Sequence, residues 1–380
     1  MTNKYINRLI EPEITQSLFK SKVILIYGPR RAGKTTLVTK LLTNQKIPVS
    51  YLNGDEGDTQ RQLAQADTSH QLGQIIGNSK LIIIDEAQRI PNIGLKLKLL
   101  VDHYPDRQII ATGSSSFELA NQTVEPLTGR NFPFWLFPLS VAEISTGLTK
   151  LEINRLLPDW LMYGNYPETI QSVGYDAKRN SCKLMASDYL YKDIYALGSL
   201  RNPELLRRLL EALALQIGNE VSYNELATLL GASKQTVSAY IDLLEKAFIV
   251  FRLNPFSRNL RKEIGKNRKI YFYDLGIRNA IIDNFNPLSL RNDIGALWEN
   301  FLISEFQKKQ NSISEKHRAY FWRTYDQKEI DYLEEKNGQF FGYEFKWQKV
   351  KYKPPQDFLT AYPKSTVQLI NQDNYPDFIA

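Results

Sequence analysis

The segment Gly28-Pro29-Arg30-Arg31-Ala32-Gly33-Lys34-Thr35-Thr36 constrains this 380-residue chain more than any other. An apolar, β-branched run, Val23 to Tyr27, leads straight into it, and Leu37, Leu41 and Leu42 follow at helical spacing. A strand that turns through G-x-x-x-x-G-K-T into a helix makes a loop whose backbone N–H groups curl round phosphate oxygens. The partial positive charge of the helix N-terminus adds to that attraction. In this pattern Lys34 reaches the β- and γ-phosphates of a nucleotide such as ATP, and the Thr35 hydroxyl ligates Mg²⁺. Arg30 and Arg31 lie inside the loop, where either could touch phosphate. The competing account, a glycine turn with GKT by chance, leaves the flanking strand and helix unexplained.

Leu81-Ile82-Ile83-Ile84-Asp85-Glu86 supplies a second piece. A continuous apolar run suits a strand covered on both faces of a parallel sheet. Open α/β sheets bind ligands at the C-terminal ends of their strands, where Asp85 and Glu86 stand. Asp85 is expected to hold Mg²⁺, directly or through water, and Glu86 to act as general base on the attacking water. A plain strand–helix boundary with an acidic cap is the alternative. Gln108 to Ser116 reads as a third strand ending in hydroxyl residues. In ATPases with an additional strand a polar residue there senses the γ-phosphate, and Thr112 or Ser114 is expected in that role. A serine-rich helix cap is the alternative. Arg130 is a candidate arginine finger supplied by a neighbouring subunit, or an ordinary surface arginine. Phe132 to Phe137 is expected to be the last strand. Asp85-Glu86-Ala87-Gln88 spells a helicase-like box, but the remaining chain lacks a second motor lobe.

Hydrophobic residues make up 43% of the chain and charged residues 23%, which excludes a generally disordered protein. No apolar run reaches the length of a spanning helix. Met1 to Lys20 carries Lys4, Arg8, Glu11 and Glu13 and does not read as a secretory signal. With a single cysteine, Cys182, there is neither a disulfide framework nor a cysteine zinc site, and a reducing cytoplasm is expected. The net charge of +7 is unevenly placed: Lys234 to Asp274 holds nine Lys/Arg against four Asp/Glu.

That basic stretch belongs to a helix-turn-helix pattern. Ser222-Tyr223-Asn224-Glu225 reads as a capping box, Leu226, Leu229 and Leu230 as an apolar face, and Gly231 as the helix stop. Ser233 can cap a second helix with Val237, Tyr240, Ile241 and Leu244 on one face. Its other face carries Lys234, Gln235 and Ser238. Two strands, Phe248 to Leu253 and Ile270 to Tyr273, flank a basic run and together make a wing. One reading is duplex DNA contact through Arg258, Arg261, Lys262, Lys266 and Arg268. The other is protein packing.

Near the C-terminus, Glu329 to Glu334 and Phe340 to Trp347 flank Lys336-Asn337-Gly338-Gln339, a hairpin turn with Asn-Gly at its centre. A two-residue loop makes paired positions sum to 675. Asp331 then lies opposite Glu344, and Glu329 opposite Lys346. Opposed carboxylates repel unless a cation lies between them. Asp…Glu-x-Lys is the restriction-endonuclease-like pattern, and Glu299 could add a carboxylate from a helix. A solvated face in which Lys346 pairs with its acidic neighbours is the alternative.

Taken together, the chain resembles the AAA-type ATPases with a C-terminal DUF4143 domain. The matching blocks are the Gly28–Thr36 loop, Ile83-Ile84-Asp85-Glu86-Ala87-Gln88, Thr112-Gly113-Ser114-Ser115 and Tyr163-Gly164-Asn165-Tyr166-Pro167-Glu168. Tyr191-Lys192-Asp193-Ile194, Tyr271 to Gly276, Trp298-Glu299-Asn300-Phe301, Glu329-Ile330-Asp331 and Glu344-Phe345-Lys346 complete them. The resemblance implies an α/β P-loop ATPase domain (1–145), a helical connector (146–200), a winged helix-turn-helix (201–285) and a nuclease-like domain (286–380). It implies ATP and Mg²⁺ as cofactors and Glu299, Asp331, Glu344 and Lys346 at the nuclease motif positions. The function expected is ATP hydrolysis whose nucleotide state controls a DNA-handling C-terminal half. The alternative is an ATP-sensing switch for a protein partner. An oligomer would be needed for an Arg130 finger, and no membrane contact is expected.

Overall fold

The computed structural model describes residues 5–43, 47–113, 126–188, 202–257, 267–311, 317–324, 326 and 328–379. Ser114, Arg258, Arg261, Lys262, Lys266 and the block 191–194 lie outside the described residues. The chain divides into two compact units, Lys4–Pro138 with Lys246–Phe248, and the remainder from Leu139 onward.

The first unit is built on five parallel strands: β1 (Val23–Tyr27), β2 (Val49–Asn53), β3 (Leu81–Asp85), β4 (Gln108–Gly113) and β5 (Asn131–Trp135). Their order is β2-β3-β4-β1-β5, so β4 is inserted between β1 and β3. This is the additional-strand α/β sheet expected of a P-loop NTPase. Strands β1, β3 and β4 are buried along their whole length, whereas the edges β2 and β5 are only partly covered. Their uninterrupted apolar runs follow from that two-sided burial. Ile24, Ile26, Ile83 and Ile110 pack with Leu37, Val38 and Leu41 of the helix Lys34–Thr43.

The second unit opens with helices Lys150–Tyr163, Pro167–Gln171 and Tyr175–Asp188. Helix Pro203–Leu215 and the short strand β6 (Glu220–Val221) lead to the pair Tyr223–Leu230 and Lys234–Lys246. Between those two helices Gly231 takes the left-handed conformation (φ 65°), the expected helix stop. Ser222 Oγ accepts the Glu225 N–H and Ser233 Oγ accepts the Thr236 N–H, so each serine caps its helix, Ser222 through one half of the expected capping box.

Strands β7 (Val250–Pro255) and β8 (Arg268–Phe272) follow as an antiparallel pair. Beyond helix Ile294–Asn311 come β9 (Arg318–Arg323), β10 (Glu329–Lys336), β11 (Gln339–Phe345) and β12 (Thr366–Ile370). One sheet runs β12-β11-β10-β9-β7-β8-β6. It crosses the expected boundary at 285/286, because Asn254 and Pro255 of β7 pair parallel with Tyr320 and Phe321 of β9. The β10–β11 hairpin has the expected register, with Tyr332 opposite Tyr343 and Lys336 opposite Gln339. Asn337 and Gly338 both have positive φ, 52° and 75°, as a two-residue type I′ turn demands. Among the described residues no helix is long and apolar enough to cross a membrane.

Candidate functional site

The loop after β1 is shaped by two glycines. A Cβ on Gly28 would lie 2.1 Å from the Leu136 carbonyl oxygen, and Gly33 has φ +97°, a conformation costly for any side chain. Lys34 is buried, and its ammonium donates to the Gly28 and Pro29 carbonyls at 2.9 and 3.0 Å. The lysine is thus folded back over the loop it belongs to. Ala32 is buried, Arg30 partly so, and Arg31, Thr35 and Thr36 are exposed.

Asp85 is the hub of this site. Its Oδ2 accepts hydrogen bonds from Thr35 Oγ1 at 2.7 Å and from the Tyr51 hydroxyl at 2.6 Å. Its Oδ1 accepts from Thr112 Oγ1. Three strands and the loop helix therefore converge on one buried carboxylate. The Thr35 hydroxyl beside the Asp85 carboxylate is an all-oxygen donor set that fits Mg²⁺. Asp85 and burial together push the Tyr51 phenol well above its ordinary value, burial being the larger cause. Thr112, expected as a phosphate sensor, is fully buried and commits its hydroxyl hydrogen to Asp85. That bond orients the Asp85 carboxylate.

Glu86 follows with φ 49° and ψ 43°, the left-handed region, where a non-glycine residue stores about 1 to 3 kcal/mol. Its N–H donates to Thr112 Oγ1 at 3.2 Å, and its Oε2 accepts from Gln88 Nε2 at 2.6 Å. Arg130 stands just before β5, and its carbonyl accepts from Val23 N–H at the start of β1. That is the N-terminal end of the strands, opposite the loop, and Arg130 pairs there with Asp102 at 2.7 Å. It does not reach the nucleotide loop of its own chain.

Arg8 escaped the sequence reading. It is buried, and its guanidinium donates to the Ala32 carbonyl at 2.7 Å and the Phe137 carbonyl at 2.6 Å. One residue thus ties the phosphate loop to the segment after β5. Arg8→Ala is expected to weaken ATP binding about tenfold, roughly the loss of one charge-assisted hydrogen bond. A fluorescent-nucleotide titration checks this, and an unchanged affinity would remove Arg8 from loop positioning.

In the second unit Glu299, Glu329, Asp331 and Glu344 come together, but with a cation the sequence reading did not single out. Lys269 of β8, only 2% exposed, places its ammonium 2.9 Å from Glu299 Oε1, 2.5 Å from Glu329 Oε1 and 3.9 Å from Asp331 Oδ1. The Tyr271 hydroxyl donates to Glu299 Oε1 at 2.6 Å, and the Phe345 N–H donates to Asp331 Oδ2 at 2.8 Å. Lys346 pairs with Glu344 at 2.7 Å. Glu329, expected opposite Lys346, pairs with Lys269 instead. A bulge in β10 between Ile330 and Leu333 re-aims side chains at this point. Burial, then the charges of Glu299 and Glu344, push the Asp331 carboxyl well up, and burial raises Glu344 also. Among the described residues no group of three or more His, Cys, Asp or Glu is arranged to hold a metal ion. The cluster does not fit the divalent cation that the nuclease pattern implies.

Lys234 and Gln235 are exposed and Ser238 half-buried on helix Lys234–Lys246. Arg268 is half-buried, donates to Asn254 Oδ1 at 3.2 Å and lies 5.7 Å from the centre of the Tyr223 ring.

Residues 20–145 match the family described as an AAA domain, residues 154–288 a domain of unknown function (DUF8612), and residues 294–376 a domain of unknown function (DUF4143). Over 344 residues the chain is 30% identical to the uncharacterized protein Rv2008c of Mycobacterium tuberculosis, across 88% of this chain and 72% of that one. The chain belongs to this AAA-domain and DUF4143 family. Protein MJ1544 of Methanocaldococcus jannaschii is 26% identical over 320 residues, 80% of this chain and 70% of that protein. Among solved structures, the Aeropyrum pernix ORC1 protein in complex with DNA is 14% identical, with a TM-score of 0.33 over 74% of this chain and 94% of that one. The AAA-domain match spans β1 to β5 and so coincides with the loop, Asp85 and Glu86. The N-terminal unit is an AAA-type, ATPase-like P-loop domain, and its family supports nucleotide binding.

Proposed function

We propose that this protein is a Mg²⁺-dependent ATPase whose nucleotide state controls a DNA-contacting C-terminal half. The observation that carries the reading is the convergence on Asp85 of Thr35, Tyr51 and Thr112. Bound Mg²⁺ would neutralise charge on the transferred phosphoryl group. The chain's own residues do the rest. Lys34 exchanges its two loop carbonyls for phosphate oxygens, the Thr35 hydroxyl and Asp85 carboxylate hold the metal, and Thr112 and Tyr51 orient Asp85. Glu86 accepts the proton of the attacking water, with Gln88 fixing its carboxylate. Arg130, at the N-terminal end of its own strands, acts in this reading on the site of a neighbouring subunit.

The helix pair with β7 and β8 is read as a winged helix, with Lys234, Gln235 and Ser238 toward the bases and Arg258, Arg261, Lys262, Lys266 and Arg268 toward phosphates. The sheet from β9 to β12 with helix Ile294–Asn311 is read as the restriction-endonuclease-like fold. Five phosphate contacts would give a log–log salt slope of about −4.5, so duplex affinity should fall about 500-fold between 50 and 200 mM salt. The test is ATP hydrolysis with and without duplex DNA over that range. Stimulation that fades with salt supports the reading. Turnover indifferent to DNA moves the partner to a protein, a second reading favoured by the engagement of Arg268 with Asn254 and Tyr223.

A further inference from the structure

The restriction-endonuclease pattern needs a divalent cation among its carboxylates, and the structure puts an ammonium there. Four acidic side chains, each no more than 25% exposed, would repel strongly in so dry a setting. Lys346 relieves only the outer side: it is 45% exposed and touches Glu344. The inner three carboxylates share Lys269. In turn, a lysine buried to 2% exposure without acidic partners would be severely destabilising. Each side of the cluster therefore requires the other.

Lys269 lies against Glu299 Oε1 and Glu329 Oε1 and faces Asp331 Oδ1, three oxygens that a metal among these carboxylates would use. Mg²⁺ binds oxygen at about 2.0 to 2.1 Å, and the same Glu299 Oε1 already receives both the ammonium and the Tyr271 hydroxyl. Asp331 gives one oxygen to the Phe345 N–H and turns the other toward Lys269. A second, divalent cation a few ångströms from the ammonium would meet like-charge repulsion in place of attraction. Lys269 comes from β8, separated from β10 by β9 and β7 in the sheet order, and Glu299 comes from the helix Ile294–Asn311. The contact therefore pins three elements distant in sequence.

We infer that Lys269 is a built-in counter-cation that takes the place of a divalent metal among Glu299, Glu329 and Asp331. The cluster is then a metal-independent clasp between β8, β10 and the Glu299 helix, and, on the nuclease-like reading above, these carboxylates do not serve Mg²⁺-dependent cleavage.

The test counts Mn²⁺ ions bound to the full chain, by electron paramagnetic resonance without nucleotide. Wild type and Asp331→Asn should bind the same number, since any Mn²⁺ at the phosphate loop is common to both. Lys269→Met should gain one Mn²⁺ that the Lys269→Met/Asp331→Asn double variant lacks. The inference is overturned if wild type binds one more Mn²⁺ than Asp331→Asn. It is also overturned if a folded Lys269→Met protein, with native circular dichroism, gains none. Should Lys269→Met fail to fold, the comparison of wild type with Asp331→Asn still decides.

Discussion

Lys34→Ala is expected to lower ATP turnover by about 100- to 1000-fold, the cost of removing one preorganised charge from a developing transition state. Phosphoryl transfer asks little covalent chemistry of a protein, so the positioned charges carry most of the rate. Lys34 is the buried cation of the loop, and its ammonium bonds the Gly28 and Pro29 carbonyls. Those carbonyls are weaker partners than phosphate oxygens, so the ammonium can be transferred to the nucleotide. Alanine at the first residue of helix Lys34–Thr43 keeps the helix, since alanine has the best helix propensity. The loss should therefore appear in phosphate release while circular dichroism still shows the native fold. Turnover at the wild-type rate would detach the Gly28–Thr36 loop from the reaction.

The parts of this site that were legible in the sequence are those fixed by local physics. The apolar runs of β1, β3 and β4 announced strands buried on both faces, and the residues at their C-terminal ends are the ones found at the site. The hairpin register followed from Asn337 and Gly338 alone, because a two-residue turn leaves one pairing. Gly231 marked the helix stop for the same local reason. What escaped were partners joined only by tertiary contact. Arg8 meets the Phe137 carbonyl 129 positions away, and no spacing rule links them. Tyr51 looks like any edge-strand tyrosine until β2 is laid beside β3, bringing its hydroxyl to Asp85. Lys269 read as one more cation of a basic wing. Its inward place depends on the parallel pairing of β7 with β9, which makes one sheet of two expected domains. The Glu329–Lys346 pairing is not met because the β10–β11 ladder stops at Tyr332 and Tyr343, and Lys346 lies beyond the last residue of β11.

Lys308→Ala is expected to destabilise the second unit by about 3 to 5 kcal/mol, the usual cost of leaving a buried charge without its partner. Glu305 is 2% exposed and Lys308 4% exposed, 2.7 Å apart on one helix. Glu305 Oε2 also accepts the Val141 N–H at 2.6 Å, and Lys308 donates to the Leu139 carbonyl at 3.2 Å. The pair therefore holds the first residues of the unit against helix Ile294–Asn311. Burial already raises the Glu305 carboxyl above its ordinary value, and Lys308 opposes that rise. Without Lys308 the folded-state value climbs further above the unfolded one. A carboxyl raised on folding contributes stability below its unfolded value and loses it as pH rises through its folded value. The deficit of Lys308→Ala should accordingly be smallest near pH 5 and grow toward pH 8. Removing both charges, in Glu305→Gln/Lys308→Met, should recover most of the loss at every pH. Four of the five tryptophans lie in this unit, so urea unfolding followed by tryptophan fluorescence reports on it. A Lys308→Ala deficit under 1 kcal/mol at pH 8, or one independent of pH, would mean that the hydrogen bonds Glu305 accepts from Val141 and Asn165 stabilise its ionised carboxylate without help from the lysine.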